Sequence, residues 1–210
     1  MEVGIVGLQN QDTFVSKAIR WWMNLYRRSK GLPKKQTPKS HVYTFVELDG
    51  EIIKVEAKAK GIVASRGYNI KRKDILLKPK KPLTNQEQEV FSNTAKEYIY
   101  GNIEYQFSNF IFQMLYIFLG WLDRLLNLRG IRKWYGEKTA NADRRFYCSE
   151  FVAWLYYKTR GTFDHPERIT PEDFAISDEF EELSRTSKLK LMADNLRAII
   201  DQDENKMTEE

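Results

Sequence analysis

The chain has 210 residues and a mass of 24.9 kDa, of which 42% are hydrophobic, 30% charged and 13% aromatic. That length suits one large domain, and the composition excludes a disordered, collagen-like or coiled-coil chain. A single cysteine excludes an intramolecular disulfide framework, and one cysteine with two histidines makes a Cys/His metal site unexpected, so no metal or other cofactor is anticipated.

Charge is unevenly placed. The net charge is +5, yet from Asp164 onward there are 14 acids against 6 bases, so the first 163 residues carry +13. Residues 13–46 hold eight bases and no acid, and a second basic run includes Lys71, Arg72, Lys73, Lys78, Lys80 and Lys81. Such a field suits a solvated face or an anionic partner, whether a membrane surface or a cell-wall polymer. No zinc-finger, RRM or KH signature points to nucleic acid. The opening MEVGIVGLQNQD lacks the basic start and long apolar run of a secretory signal. With the lone thiol this predicts a cytoplasmic location, with membrane association open.

In chain order, GIVG predicts a short strand. DTFVSKAIRWWMNLYRR predicts a helix capped by Asp12 or Thr13, with Phe14, Ala18, Trp21, Trp22 and Leu25 at helical spacing. GLPKKQTPKS is a loop. HVYTFVELDGEIIKVEAKAK consists of two β-rich runs around Asp49-Gly50, a hairpin signal. A two-residue turn pairs Leu48 with Glu51, Glu47 with Ile52, Tyr43 with Glu56 and His41 with Lys58. One face then carries Val42, Thr44, Val46, Leu48, Ile53, Val55 and Ala57 toward the core. The other carries His41, Tyr43, Phe45, Lys54 and Glu56 and reads as exposed, with His41 and Glu56 as diagonal neighbours.

GIVASRGYNIKRKDILLKP continues as short strands. A helix starts at Thr84 or Asn85, with Glu87 in its first turn, and ends before Gly101. Residues 105–122 carry no formal charge and seven aromatics, which fits either a buried helix or an interfacial membrane element. Residues 129–145 read as a polar loop. FYCSEFVAWLYYKTRG predicts a helix ending at Gly161, ITPEDFAISDEFEEL a turn and short helix, and SKLKLMADNLRAIIDQ a strand or helix. The organisation expected is one domain over 1–200, with a helical aromatic insert at about 84–145 and an acidic tail at 201–210.

Cys148 opens a predicted helix, where unpaired amides and the helix dipole favour a thiolate. A thiolate nucleophile needs a base, and the base an orienting group. SHVYTFVELDGEIIKVEA, followed about 90 residues later by FYCSEFVAWLYY, resembles the permuted papain-like branch of the NlpC-type cysteine peptidases, and within it the YiiX-like subgroup. In that family a strand opening with His precedes a second strand ending in an acid before Ala, and the nucleophile follows in a Tyr-Cys-Ser-Glu run. GIVGLQNQDTFVSKAIRWW, GNIEYQF and ITPEDFAIS also resemble family segments, so the likeness spans about residues 3–180. Tyr43 stands where the family commonly has Gly, and the opening Gly-Asp of many members is missing.

The resemblance implies an α+β, circularly permuted papain-like fold, an antiparallel sheet packed against helices. It also implies a cysteine amidase or peptidase, with Cys148 as nucleophile, His41 as general base and Glu56 as orienter. The Cys148 amide would serve the oxyanion, with Tyr147 and Tyr43 as candidate pocket or oxyanion residues. Expected substrates are peptides or acyl amides of cell-wall or lipid origin. A lipid acyltransferase or thioesterase, and a non-catalytic binding module on the same fold, are the alternatives. His165, before Pro166, is a rival histidine, and Glu150 reads as a capping or solvent-facing residue.

Overall fold

The structure, a computed structural model, describes residues 2–10, 14–29, 31–33, 38–58, 61–66, 70–101, 147–194 and 197. The elements are β1 (Val6–Gln9), α1 (Phe14–Ser29), β2 (His41–Leu48), β3 (Glu51–Lys58), β4 (Gly61–Ser65), β5 (Ile75–Pro79), α2 (Asn85–Tyr100), α3 (Cys148–Arg160), a 3-10 turn at Pro166–Arg168, α4 (Pro171–Ile176) and β6 (Phe180–Glu182). Residues 185–194 are also helical. The expected segment at 105–122, the polar loop at 129–145 and the tail at 201–210 lie outside the described residues. No helix among the described residues is long and apolar enough to cross a membrane.

The strands form one antiparallel sheet in the order β4-β3-β2-β1-β5-β6. Asp49 and Gly50 turn the β2–β3 hairpin with φ of 54° and 80°. A two-residue turn with both φ positive matches the twist of the strands it joins. Pairing from Leu48↔Glu51 to Thr44↔Val55 is the predicted register.

Local signals set the helix ends. Thr84 accepts the Glu87 amide while the Glu87 carboxylate accepts the Thr84 amide, a reciprocal cap at the start of α2. Gly161 ends α3 at φ +71° and donates its N–H to the Tyr157 carbonyl.

Both faces of the sheet are covered. On one, Val6, Leu8, Val42, Val46 and Val55 pack under α2 and α3 through Phe91, Ala95, Phe151, Val152 and Leu155. On the other, Tyr43 and Phe45 pack with Ile5, Ile70 and Leu76, and Leu183, Leu191 and Met192 lie against them. The face expected to be exposed is therefore buried. The 70–76 segment and residues 183–192 cover Tyr43 and Phe45 on it, and its His41, Lys54 and Glu56 are interior groups as well. Two further expectations are corrected. Phe180–Glu182 is a strand, because it finds β5 as a partner. In α1 the buried stripe is Met23 and Tyr26 with Ile19 and Trp22, while Trp21 is 64% exposed.

Candidate active site

His41 opens β2 and lies directly across from Gln9, the last residue of β1. Glu56 reaches it from β3: His41 Nε2 and Glu56 Oε2 are 2.7 Å apart, and both side chains are buried. With Nε2 engaged there, Nδ1 is the ring nitrogen left to face the Cys148 thiol, whose ionisation and that of His41 shift each other through charge. The structure thus pairs His41 with Glu56 directly and sets Cys148 near enough to His41 for each to shift the other's ionisation.

Cys148 is the first residue of α3, and several contacts fix that helix end. The Tyr147 hydroxyl donates toward the carbonyls of Glu167 (2.9 Å) and Ile169 (3.1 Å), and the Ser149 hydroxyl donates to Ile169 O at 2.7 Å. Glu150 closes the start of the helix by accepting the Tyr147 amide at 3.3 Å. These bonds hold the first turn of α3 to the 3-10 turn and the residue after it. The site is framed further by α1: Ser16 Oγ is 2.6 Å from Ser40 Oγ, beside His41.

Electrostatics favours charge separation between sulfur and imidazole. Burial pushes the Cys148 thiol up, but the His41 charge, the His41 hydrogen bond and the amides of Val42 and Ser149 outweigh it and bring the thiol below its ordinary value. Burial alone would lower His41. The charge and hydrogen bond of Cys148, then those of Glu56, overcome it and raise the imidazole from 6.5 to about 9. Glu56 is held well below the usual carboxylate range: burial is outweighed by hydrogen bonds from His41 and Lys58 and by the charges of Lys54 and His41.

Sequence reasoning missed three partners of Glu56. Lys54 Nζ lies 2.9 Å and Lys58 Nζ 2.8 Å from its Oε1, and Gln9 Nε2 donates to Oε2 at 3.4 Å. The signal for the lysines was present in Lys-Val-Glu-Ala-Lys, since alternate residues of a strand share a face. Gln9 had no such signal, because its place depends on how β1 pairs with β2.

The two candidate pocket residues have their hydroxyls engaged elsewhere. Tyr147 turns its hydroxyl proton to the 167–169 carbonyls, and Tyr43 donates its own to Asp74 Oδ2 at 3.1 Å, so neither phenol is directed at an oxyanion. His165 is largely exposed and lies 3.2 Å from Glu167 Oε1, apart from the His41–Cys148 pair. Glu150 caps, as read, but is buried rather than solvent-facing.

No family model matches the chain, and no curated protein matches it. A solved structure does: the crystal structure described as the metalloprotein YiiX from Escherichia coli O157:H7 superposes with a TM-score of 0.51 at 14% identity, covering 87% of this chain and 96% of that one. The fold is YiiX-like. At that identity the likeness speaks for the mixed α+β architecture with its single antiparallel sheet.

Proposed function

We propose that this chain is a cysteine hydrolase of the amidase or peptidase type on a permuted papain-like scaffold, with the chain order His41, Glu56, Cys148. One observation carries the reading: a buried imidazole hydrogen-bonded to a carboxylate, with a helix-opening thiol close enough to couple to its charge. In this reading the Cys148 thiolate attacks an acyl carbon, and the His41 imidazolium gives its proton to the leaving amine. A thioester acyl-enzyme remains. Neutral His41 then takes a proton from water, which releases the acid and the free thiol. Glu56 fixes the ring orientation and stabilises its charged form. In this reading the first amide of α3 serves as donor to the developing oxyanion.

The YiiX structure is described as a metalloprotein. Here, no group of three or more His, Cys, Asp or Glu among the described residues stands where it would hold a metal ion. The Glu56 oxygens are also taken by two ammonium groups, an imidazole and an amide, and the ammonium charges oppose a cation. The side chains present do not fit a metal at this site.

The deciding experiment is labelling with acyl-type and peptide-type cysteine probes in wild type and Cys148→Ala. Labelling that persists in Cys148→Ala, or its absence in the wild type, would refute the hydrolase. A second reading, acyl transfer from lipids at an anionic membrane surface, is favoured by Trp21, which stands largely exposed on a helix ending in Arg27 and Arg28. Co-sedimentation with anionic liposomes at low and high salt tests it, and no sedimentation at either salt removes it.

A further inference from the structure

Tyr43 and Glu56 are joined by a third buried side chain. The Lys54 ammonium lies 2.9 Å from Glu56 Oε1 and 4.3 Å over the Tyr43 ring, whose hydroxyl is in turn tied to Asp74. Asp74, Tyr43, Lys54, Glu56 and His41 form one line of contacts, and all five are buried. A Cβ at Gly7 would fall 2.0 Å from the Tyr43 ring, so the ring has its place because β1 carries a glycine there.

A lysine stays inside a protein only when it is paired. Here a carboxylate and the face of an aromatic ring hold it. The outcome is a fixed positive charge behind the imidazole. Lys54 Nζ and His41 Nε2 contact opposite oxygens of one carboxylate, which keeps the two nitrogens within about 8 Å of each other. In surroundings poor in water, like charges at that range repel appreciably. Glu56 therefore favours the imidazolium while Lys54 opposes it. The other groups around His41 are Cys148 on α3, Gln9 across from it on β1 and the Ser16–Ser40 hydroxyl pair beside it. Lys58 also meets Glu56 Oε1, but its side chain is 44% exposed and water screens its charge.

We propose that Lys54 is a positioning residue for His41: its fixed ammonium offsets the pull of Glu56 and keeps the imidazole from holding its proton too tightly. A group that gives a proton to a leaving amine and later takes one from water works best when its proton affinity lies near the ambient pH. Without Lys54 the carboxylate would push the imidazole further above that range. The catalytic meaning rests on the hydrolase reading, whereas the effect on His41 ionisation does not.

The test is an NMR titration of the His41 ring in the full chain, with the largely exposed His165 as internal reference. It is run on wild type, Lys54→Met, Lys54→Gln and Lys54→Arg. In each, Lys58 and Gln9 remain to hold Glu56. The His41 midpoint should rise by about one unit in Lys54→Met, the effect of removing one charge at roughly 8 Å from a site between interior and water. Lys54→Gln keeps an N–H donor and drops the charge, so its midpoint should rise as well. Lys54→Arg should titrate like the wild type, and His165 should move in none of them. The alkaline limit of turnover should shift upward with the midpoint. A lysine with a purely structural role would leave the midpoint in place, or lower it by loosening Glu56. A midpoint unchanged or lowered in Lys54→Met and Lys54→Gln overturns the proposal and leaves the hydrolase standing. A raised midpoint in a chain whose Cys148 takes no cysteine probe refutes the hydrolase, and the role of Lys54 in catalysis falls with it.

Discussion

Lys54 and Glu56, two residues apart on one strand, form a buried ion pair of 2.9 Å beneath the imidazole that Glu56 also holds. Glu56 therefore neutralises an interior ammonium as well as orienting His41. Glu56→Gln is expected to cost stability, about 3 kcal/mol, because it strands a buried charge, and to lower turnover by weakening control of the ring. Adding Lys54→Met should recover most of the melting temperature without recovering activity. Thermal denaturation and hydrolysis measured on both variants separate the two roles. Full activity in the double variant would refute the orienting role.

A Cys148 thiol held below its ordinary value beside a raised His41 imidazole predicts a pH profile. Alkylation of Cys148 by iodoacetamide should already be fast well below the ordinary thiol range, about 8.5. In His41→Ala the midpoint should move upward, since burial then acts without its counterweight. The imidazolium is lost near pH 9, so steps that need its proton decline there. Linkage follows the same sign. With its folded pKa raised from 6.5 to about 9, His41 contributes stability that is complete below 6.5 and is lost as pH rises to about 9.

Glu150 supplies the opposite diagnostic. Burial pushes its pKa up to about 8 against the pull of the Tyr147 amide, with Glu167 and Cys148 adding to the rise. A carboxyl raised from 4.5 costs the fold increasing stability between pH 4.5 and about 8. Gln keeps the capping geometry and never ionises. The melting temperature of Glu150→Gln relative to wild type should therefore climb by about 3 °C or more between pH 5 and pH 8. A flat difference would contradict a buried, late-titrating carboxyl.

Gly7 lies opposite Tyr43, and a Cβ there would fall 2.0 Å from the ring. The ring is buried and its hydroxyl tied to Asp74, so it has little room to retreat. Gly7→Ala is expected to cost about 3 kcal/mol. The same change in a Tyr43→Ala background should cost far less, and equal costs in a double-mutant cycle would disprove the contact. Activity should fall with stability, because β1 also sets Gln9 across from His41.

Much of this arrangement was legible beforehand. Asp49-Gly50 set the hairpin, its register put His41 and Glu56 on one face, and Thr84 with Glu87 marked the start of α2. These are local signals, written within a few residues of their effect. The burial of the second face was not legible, because His, Lys and Glu on alternating positions read as a solvated surface until their mutual pairing is known. The strand Phe180–Glu182 was hidden for a similar reason: two acids in three residues pair only because β5 is adjacent.

His41 and Glu56 sit 15 residues apart on one hairpin, while Cys148 arrives more than 90 residues after His41. During synthesis the hairpin can therefore leave the ribosome with His41 and Glu56 in register and no thiol beside them. Before α3 docks, Cys148 is an ordinary thiol without its imidazole. On the proposed reading, reactivity then waits for the docking of α3, and a product ending before Cys148 lacks the thiol altogether.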